Sequence, residues 1–246
     1  MDLRLARYRP VHSLSEKRLI FYCLFFSTFL CFLLADVYGA ESTCYGTTSK
    51  GRLEHGVQLP GEGENFVAYS SFAITIGRTY VHTKVRDIIV DAYETLEKDM
   101  PVKVFKYGET GLKEGRRFRP HKTHQNGLSV DFIVPVMDRN GRSVHLPTNV
   151  FNKFGYSVEF DETGKYGDFR IDFEALAGHI YALHNAAQEH GVRIKRIIFD
   201  PKLQPSLFKT EYGPYVKDNI KFSRKRSWVR HDEHYHVDFD IQCKPM

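Results

Sequence analysis

The chain lacks a strong excess of charge of either sign. Its 246 residues carry a net +5, and residues 1–40, with five basic and three acidic side chains, account for +2 of that. The remaining +3 is too small a basic balance to point to nucleic acid. Cysteine is scarce: there are four, Cys23 and Cys31 lie before residue 40, and no CxxC pair is present to build a cysteine-rich zinc module. No stretch beyond residue 40 is repetitive or of low complexity. The HExxH pattern of helix-borne zinc proteases is missing, as are the GxSxG elbow of serine hydrolases and the phosphate-binding P-loop. Neither cysteine beyond residue 40 sits in the setting of a nucleophile.

What remains is ordinary globular composition, 42% hydrophobic and 26% charged, which excludes disordered and fibrous classes. The N-terminus has the three regions of an export signal. A basic stretch ends at Lys17-Arg18, an apolar run follows from Leu19 to Leu34, and small residues stand at Gly39 and Ala40. The run is short for a membrane span of about 20 residues, so cleavage near residue 40 is expected, with an uncleaved anchor as the alternative. Residues 41–246 are then the working domain outside the cytoplasm. Cys44 and Cys243 are an even pair in an oxidising compartment and are expected to be bridged.

Residues 41–66, rich in Gly, Ser and Thr, read as an extended arm. Apolar residues at spacings of three and four predict helices over about 80–98 and about 172–190, the first ended by Met100-Pro101 and the second by Gly191. Strands are expected at 102–107, 128–136 and 192–199, and Pro201 opens a possible short helix. Residues 137–171 read as a long surface excursion containing a hairpin. The last element is the clearest. From His234 to Cys243 polar and apolar residues alternate, placing His234, His236, Asp238, Asp240 and Gln242 on one face of a strand. The mixed order predicts an α+β single domain: a central, mainly antiparallel sheet flanked by helices, with the site on the sheet.

Five of the twelve histidines fall in two short clusters, His121-Lys-Thr-His124 with Asp131 seven residues after His124, and His231-Asp-Glu-His234-Tyr-His236. Imidazole and carboxylate are ordinary zinc ligands, and a catalytic zinc keeps three of them and one open position. His234 and His236 share a strand face about 6.5–7 Å apart. One of them can therefore bind metal while the other reaches the substrate. Asp131 lies in the apolar run Leu-Ser-Val-Asp-Phe-Ile-Val, where a carboxylate is costly unless paired or metal-bound. An HxH pair alone is often a surface feature, and a lone buried Asp usually bonds backbone. Their combination with His124 is what indicates a metal site. His55, His82, His145, His179, His184 and His190 stand singly and read as structural. Arg116-Arg117-Phe118-Arg119 reads as a solvated loop, with the alternative of holding a substrate carboxylate.

The spacing His-x6-Asp followed far downstream by His-x-His resembles the zinc-peptidase superfamily that includes lysostaphin-type enzymes, D-Ala-D-Ala carboxypeptidases and the hedgehog fold. Within it the chain most resembles the penicillin-insensitive murein endopeptidases. The stretches that carry this are Gly51-Arg52-Leu53, Val57-Gln58-Leu59-Pro60, Arg78 to His82, Gly115 to Phe118, Ile194 to Pro201 and Trp228 to His231. The resemblance implies one Zn2+ per chain on His124, Asp131 and His236, a catalytic role for His234, and His121 and His231 lining the cleft. It implies hydrolysis of D-alanyl–meso-diaminopimelate cross-links in peptidoglycan by a periplasmic enzyme that touches membrane only through its N-terminal segment, if uncleaved. The alternatives are a D,D- or L,D-carboxypeptidase on stem peptides, and a zinc-stabilised module that binds wall peptides or a protein.

Overall fold

The alternating segment near the C-terminus forms the strand around which the rest of the domain is arranged. The computed structural model describes residues 40–225, 227 and 229–246. The expected export signal and Trp228 lie outside the described residues. Glu41–Met246 is one compact unit.

In chain order the strands are β1 Thr43–Thr47, β2 Lys50–Glu54, β3 Val57–Gln58, β4 Phe66–Ala68, β5 Tyr80–Val81, β6 Phe105–Tyr107, β7 Ser129–Ile133, β8 Val136–Met137, β9 Ser143–Val144, β10 Lys165–Tyr166, β11 Phe169–Ile171, β12 Arg193–Ile198 and β13 His234–Asp240. The helices are α1 Ser71–Thr75, α2 Thr83–Asp99, α3 Phe173–Glu189, α4 Gln204–Leu207 and α5 Gly213–Asn219, with a 3-10 turn at Val150–Gly155. The central sheet has the order β12-β13-β7-β6-β4 and is antiparallel except for the β4–β6 pair. The α+β expectation with a mainly antiparallel sheet therefore holds.

The two faces of this sheet differ as the alternation requires. Tyr235, Val237 and Phe239 point with Val130 and Phe132 into a fully buried core. That core is closed by Val85, Ile88, Ile89, Ala92 and Tyr93 of α2 and by Leu176, Ile180 and Leu183 of α3. His179 belongs to it, bonding the Tyr235 hydroxyl through Nδ1 and packing edge-on to Phe132. This is the structural role expected of a solitary histidine. His82 likewise caps α2, its Nδ1 accepting from Lys84 N at 3.2 Å. That cap explains why α2 starts at Thr83 and not at residue 80: Tyr80 and Val81 are taken by pairing with Gln58 and Val57.

Two regions are more ordered than the sequence indicated. The arm contains a hairpin, β1 on β2, in which Gly46 takes φ +66. A Cβ at Gly46 would sit 2.3 Å from Lys50 O, so the position requires glycine. The excursion over 137–171 builds a second sheet, β10-β11-β8-β9, and buries Leu146, Val158 and Phe160. It is bound to the main sheet and not merely laid on its surface. Cys44 and Cys243 are bridged, as expected, joining β1 to the chain just after β13. Among the described residues, no helix is long and apolar enough to cross a membrane.

Candidate metal centre and its cleft

Antiparallel pairing of β13 with β7 sets His234 opposite Ile133, His236 opposite Asp131 and Asp238 opposite Ser129. The polar face of β13 thus meets the one charged residue of β7 across a single rung. His124 arrives from the preceding loop in a left-handed conformation, φ +67, and His231 has φ +59. Non-glycine residues held there are uncommon and cluster at functional sites.

His124 is fixed through one nitrogen and His236 through both. His124 Nδ1 donates to Thr110 O at 3.0 Å, which leaves Nε2 as a lone-pair donor 3.3 Å from Asp131 Oδ1. This Nε2 is buried and has no hydrogen-bond partner. His236 Nδ1 lies 2.8 Å from Asp131 Oδ1 and its Nε2 2.9 Å from Asp238 Oδ1, so a proton on Nε2 held by Asp238 leaves Nδ1 free to bind a metal. Burial acts to lower the His236 pKa, but Asp238 and Asp131 outweigh it and bring it up to about 10. Asp238 is itself braced by Ser129 Oγ at 2.6 Å and by Arg196 Nε at 2.7 Å. Burial likewise acts to raise Asp131, yet the surrounding histidines hold it well below the usual carboxylate range. An unpaired buried nitrogen, a buried carboxylate and an imidazole backed by a second carboxylate converge on one point. Such a set suits a divalent cation, with the outer carbonyl and carboxylate fixing each ring.

His121 stands beside this set. Its Nε2 bonds Glu109 Oε2, and its Nδ1 lies 3.8 Å from Asp131 Oδ2. His121, His124 and Asp131 can also hold a metal ion, with ligand atoms within 4.8 Å of one another. His236 lies beside this group, its Nδ1 2.8 Å from the same Asp131. His234 points Nε2 toward Asp131 Oδ2 at 3.9 Å, and His231 packs against it with ring centres 4.6 Å apart. Burial, followed by the neighbouring His234, pushes His231 down to about 4. The structure brings all six sequence-designated residues into one site.

The site floors a cleft of about 790 Å³. Phe72, Ile76 and Phe154 give it an apolar wall, and Arg119 and Lys153 stand on its rim. The expected solvated loop is only partly so. Phe118 is buried beneath His121 and His124, with Arg78 over its ring, while Arg116, Arg117 and Arg119 are exposed.

Three contributors carried no clear sequence signal. Tyr156 donates its hydroxyl to Asp131 Oδ2 at 2.9 Å and packs edge-on to His121 and His234. It comes from the excursion, which lacks a readable pattern. Glu109 orients His121 and accepts from Arg78 and from Tyr69. Glu233 bonds His234, and its place inside the His231–His236 cluster was the only available hint.

The fold and the buried His and Asp cluster define a cleft able to hold a metal ion. The chain belongs to the penicillin-insensitive murein endopeptidase family, whose model matches residues 44–245. That membership indicates activity on murein. Comparison with curated proteins finds no match.

Proposed function

We propose that the protein is an exported, zinc-dependent endopeptidase that hydrolyses D-alanyl–meso-diaminopimelate cross-links in peptidoglycan. In this reading residues 1–40 direct export to the periplasm, and residues 41–246 form the enzyme. His124 Nε2, Asp131 and His236 Nδ1 hold one zinc. The observation that carries the reading is the orphaned His124 Nε2 facing Asp131 Oδ1, which His236 Nδ1 also meets. His236 is favoured over His121 as third ligand because its nitrogen lies closer to Asp131, at 2.8 Å against 3.8 Å, and Asp238 backs its far nitrogen. A zinc ion, when bound, acidifies water and polarises the scissile carbonyl.

The chain's own residues do the rest. His234 Nε2 faces the reacting centre, where it takes a proton from the attacking water or stabilises charge on the carbonyl oxygen. His231 stays neutral beside it and orients the peptide. Tyr156 keeps Asp131 turned. The apolar wall and the cationic rim of Arg119 and Lys153 suit a stem peptide that carries alkyl groups and free carboxylates.

Purified cross-linked muropeptide dimers test this. Mass spectrometry should show dimers converted to monomers without loss of terminal D-alanine, unaffected by penicillin and abolished by a chelator. Trimming of free pentapeptide alone would replace the endopeptidase with a carboxypeptidase. Binding without turnover would make the chain a recognition module.

A further inference from the structure

The segment Arg230–His234 contains a row of buried charges that zinc ligation does not require. Glu233 is 2% exposed and Asp232 1% exposed. Asp232 has clear partners: Arg230 donates to both its oxygens, at 3.1 Å and 2.8 Å, and Phe160 N donates to Oδ2 at 2.6 Å. Arg230 also grips Glu159 and Phe160 O, fastening this segment to the excursion. The Glu233 carboxylate has no cationic Lys or Arg partner among the described residues. Its carboxylate bonds His234 Nδ1 at 2.7 Å, next to the Asp232 carboxylate. A buried carboxylate is costly unless bonded, and the His234 imidazole is the partner that offsets that cost.

Geometry fixes what that contact does. An ionised carboxylate only accepts, so His234 Nδ1 carries the proton. In the neutral ring Nε2 is then the lone-pair nitrogen, and it is Nε2 that points to Asp131 and the cleft. Adjacent residues on a regular strand face opposite ways. Glu233 escapes this because it stands just before β13, after the left-handed turn at His231, although its C=O already accepts from Val134 N at 3.0 Å.

We propose that Glu233 is a positioning residue for His234: it sets the ring's tautomer and aim, and the Arg230–Asp232 clamp holds it in place. This rests on His234 acting in catalysis as proposed above. The test uses the zinc-loaded protein, Glu233→Ala, Glu233→Gln, His234→Ala and the Glu233→Ala/His234→Ala double variant. It measures kcat and KM on muropeptide dimers, zinc content, and the imidazole 15N shifts of His234. Glu233→Ala should lower kcat by about 10²-fold, with KM within about threefold and one zinc retained. Glu233→Gln, whose amide oxygen still accepts, should stay within about tenfold of the parent. The double variant should be no slower than His234→Ala. The parent spectrum should place the His234 proton on Nδ1, and Glu233→Ala should release it to a mixture of tautomers.

A parental kcat in Glu233→Ala, a further loss in the double variant, or a proton on Nε2 in the parent would each overturn the proposal. If Glu233→Ala does not fold, Glu233→Gln and the parent spectrum decide it. If His234→Ala turns over at the parental rate, the catalytic reading fails, while the nitrogen shifts still report separately whether Glu233 sets the ring.

Discussion

Removing the Cys44–Cys243 bridge by a double change to serine should separate the stability of this domain from the integrity of its site. The bridge spans 199 residues. Loop-closure entropy for a loop of that length amounts to about 5 kcal/mol at 25 °C, and measured bridges more often contribute about 2–4 kcal/mol. Part of the connection survives without the sulfurs, because Lys244 N still donates to Cys44 O at 2.9 Å and Gly46 N to Lys244 O at 2.9 Å. The expected loss is therefore about 2–4 kcal/mol. For a domain of this size each kcal/mol lowers Tm by about 2–4 °C, giving a drop of about 4–16 °C. The assays are thermal and urea unfolding followed by fluorescence, with zinc affinity measured on the folded variant. Zinc affinity should change little, because β13 stays paired on both sides, to β7 and to β12. An unchanged midpoint would refute the stabilising role. A large loss of zinc affinity in the still-folded variant would refute the independence of site and bridge.

Other consequences can be checked alongside it. His236→Ala should lose zinc and turnover together, whereas His234→Ala should keep zinc and lose about 10²-fold or more in turnover, read by metal analysis and muropeptide digestion. Tyr156→Phe removes the donor to Asp131 Oδ2 and should weaken zinc binding by about 10–100-fold in a competitive chelator titration. Lys106 is lowered by burial to about 8 from an ordinary 10.5, and among the described residues its Nζ bonds Leu146 O and Thr148 Oγ1. Between those values the unfolded chain keeps a proton that the folded chain has released, so stability rises with pH across that window. Parent Tm should accordingly climb relative to Lys106→Met from about pH 8 to about pH 10.5, and a constant difference would contradict the assignment.

Much of the site could be read from the sequence because its residues lie on regular elements or in tight clusters. The alternation of His234 to Asp240 fixed which side chains share a face, and Asp131 was conspicuous as a charge in an apolar strand. The rung pairing His236 with Asp131 depends on strand order and register, which no local pattern encodes. The left-handed backbone at His124 and His231 had no glycine to announce it. Tyr156 and Glu109 reach the site through contacts across 25 and 12 residues respectively. Their roles appear only once the excursion and the loop are folded against the sheet. The Gly, Ser and Thr content of the arm reads as extended chain, yet Gly46 serves to turn a hairpin.

The central claim, that His124, Asp131 and His236 form the ligand set, is tested most directly by crystallising the zinc-loaded protein and recording anomalous scattering at the zinc edge. One peak per chain is predicted, within bonding distance of His124 Nε2, an Asp131 oxygen and His236 Nδ1, with His121 and His234 outside that distance. A peak bonded to His121 in place of His236, or no peak in this cluster, would contradict the account.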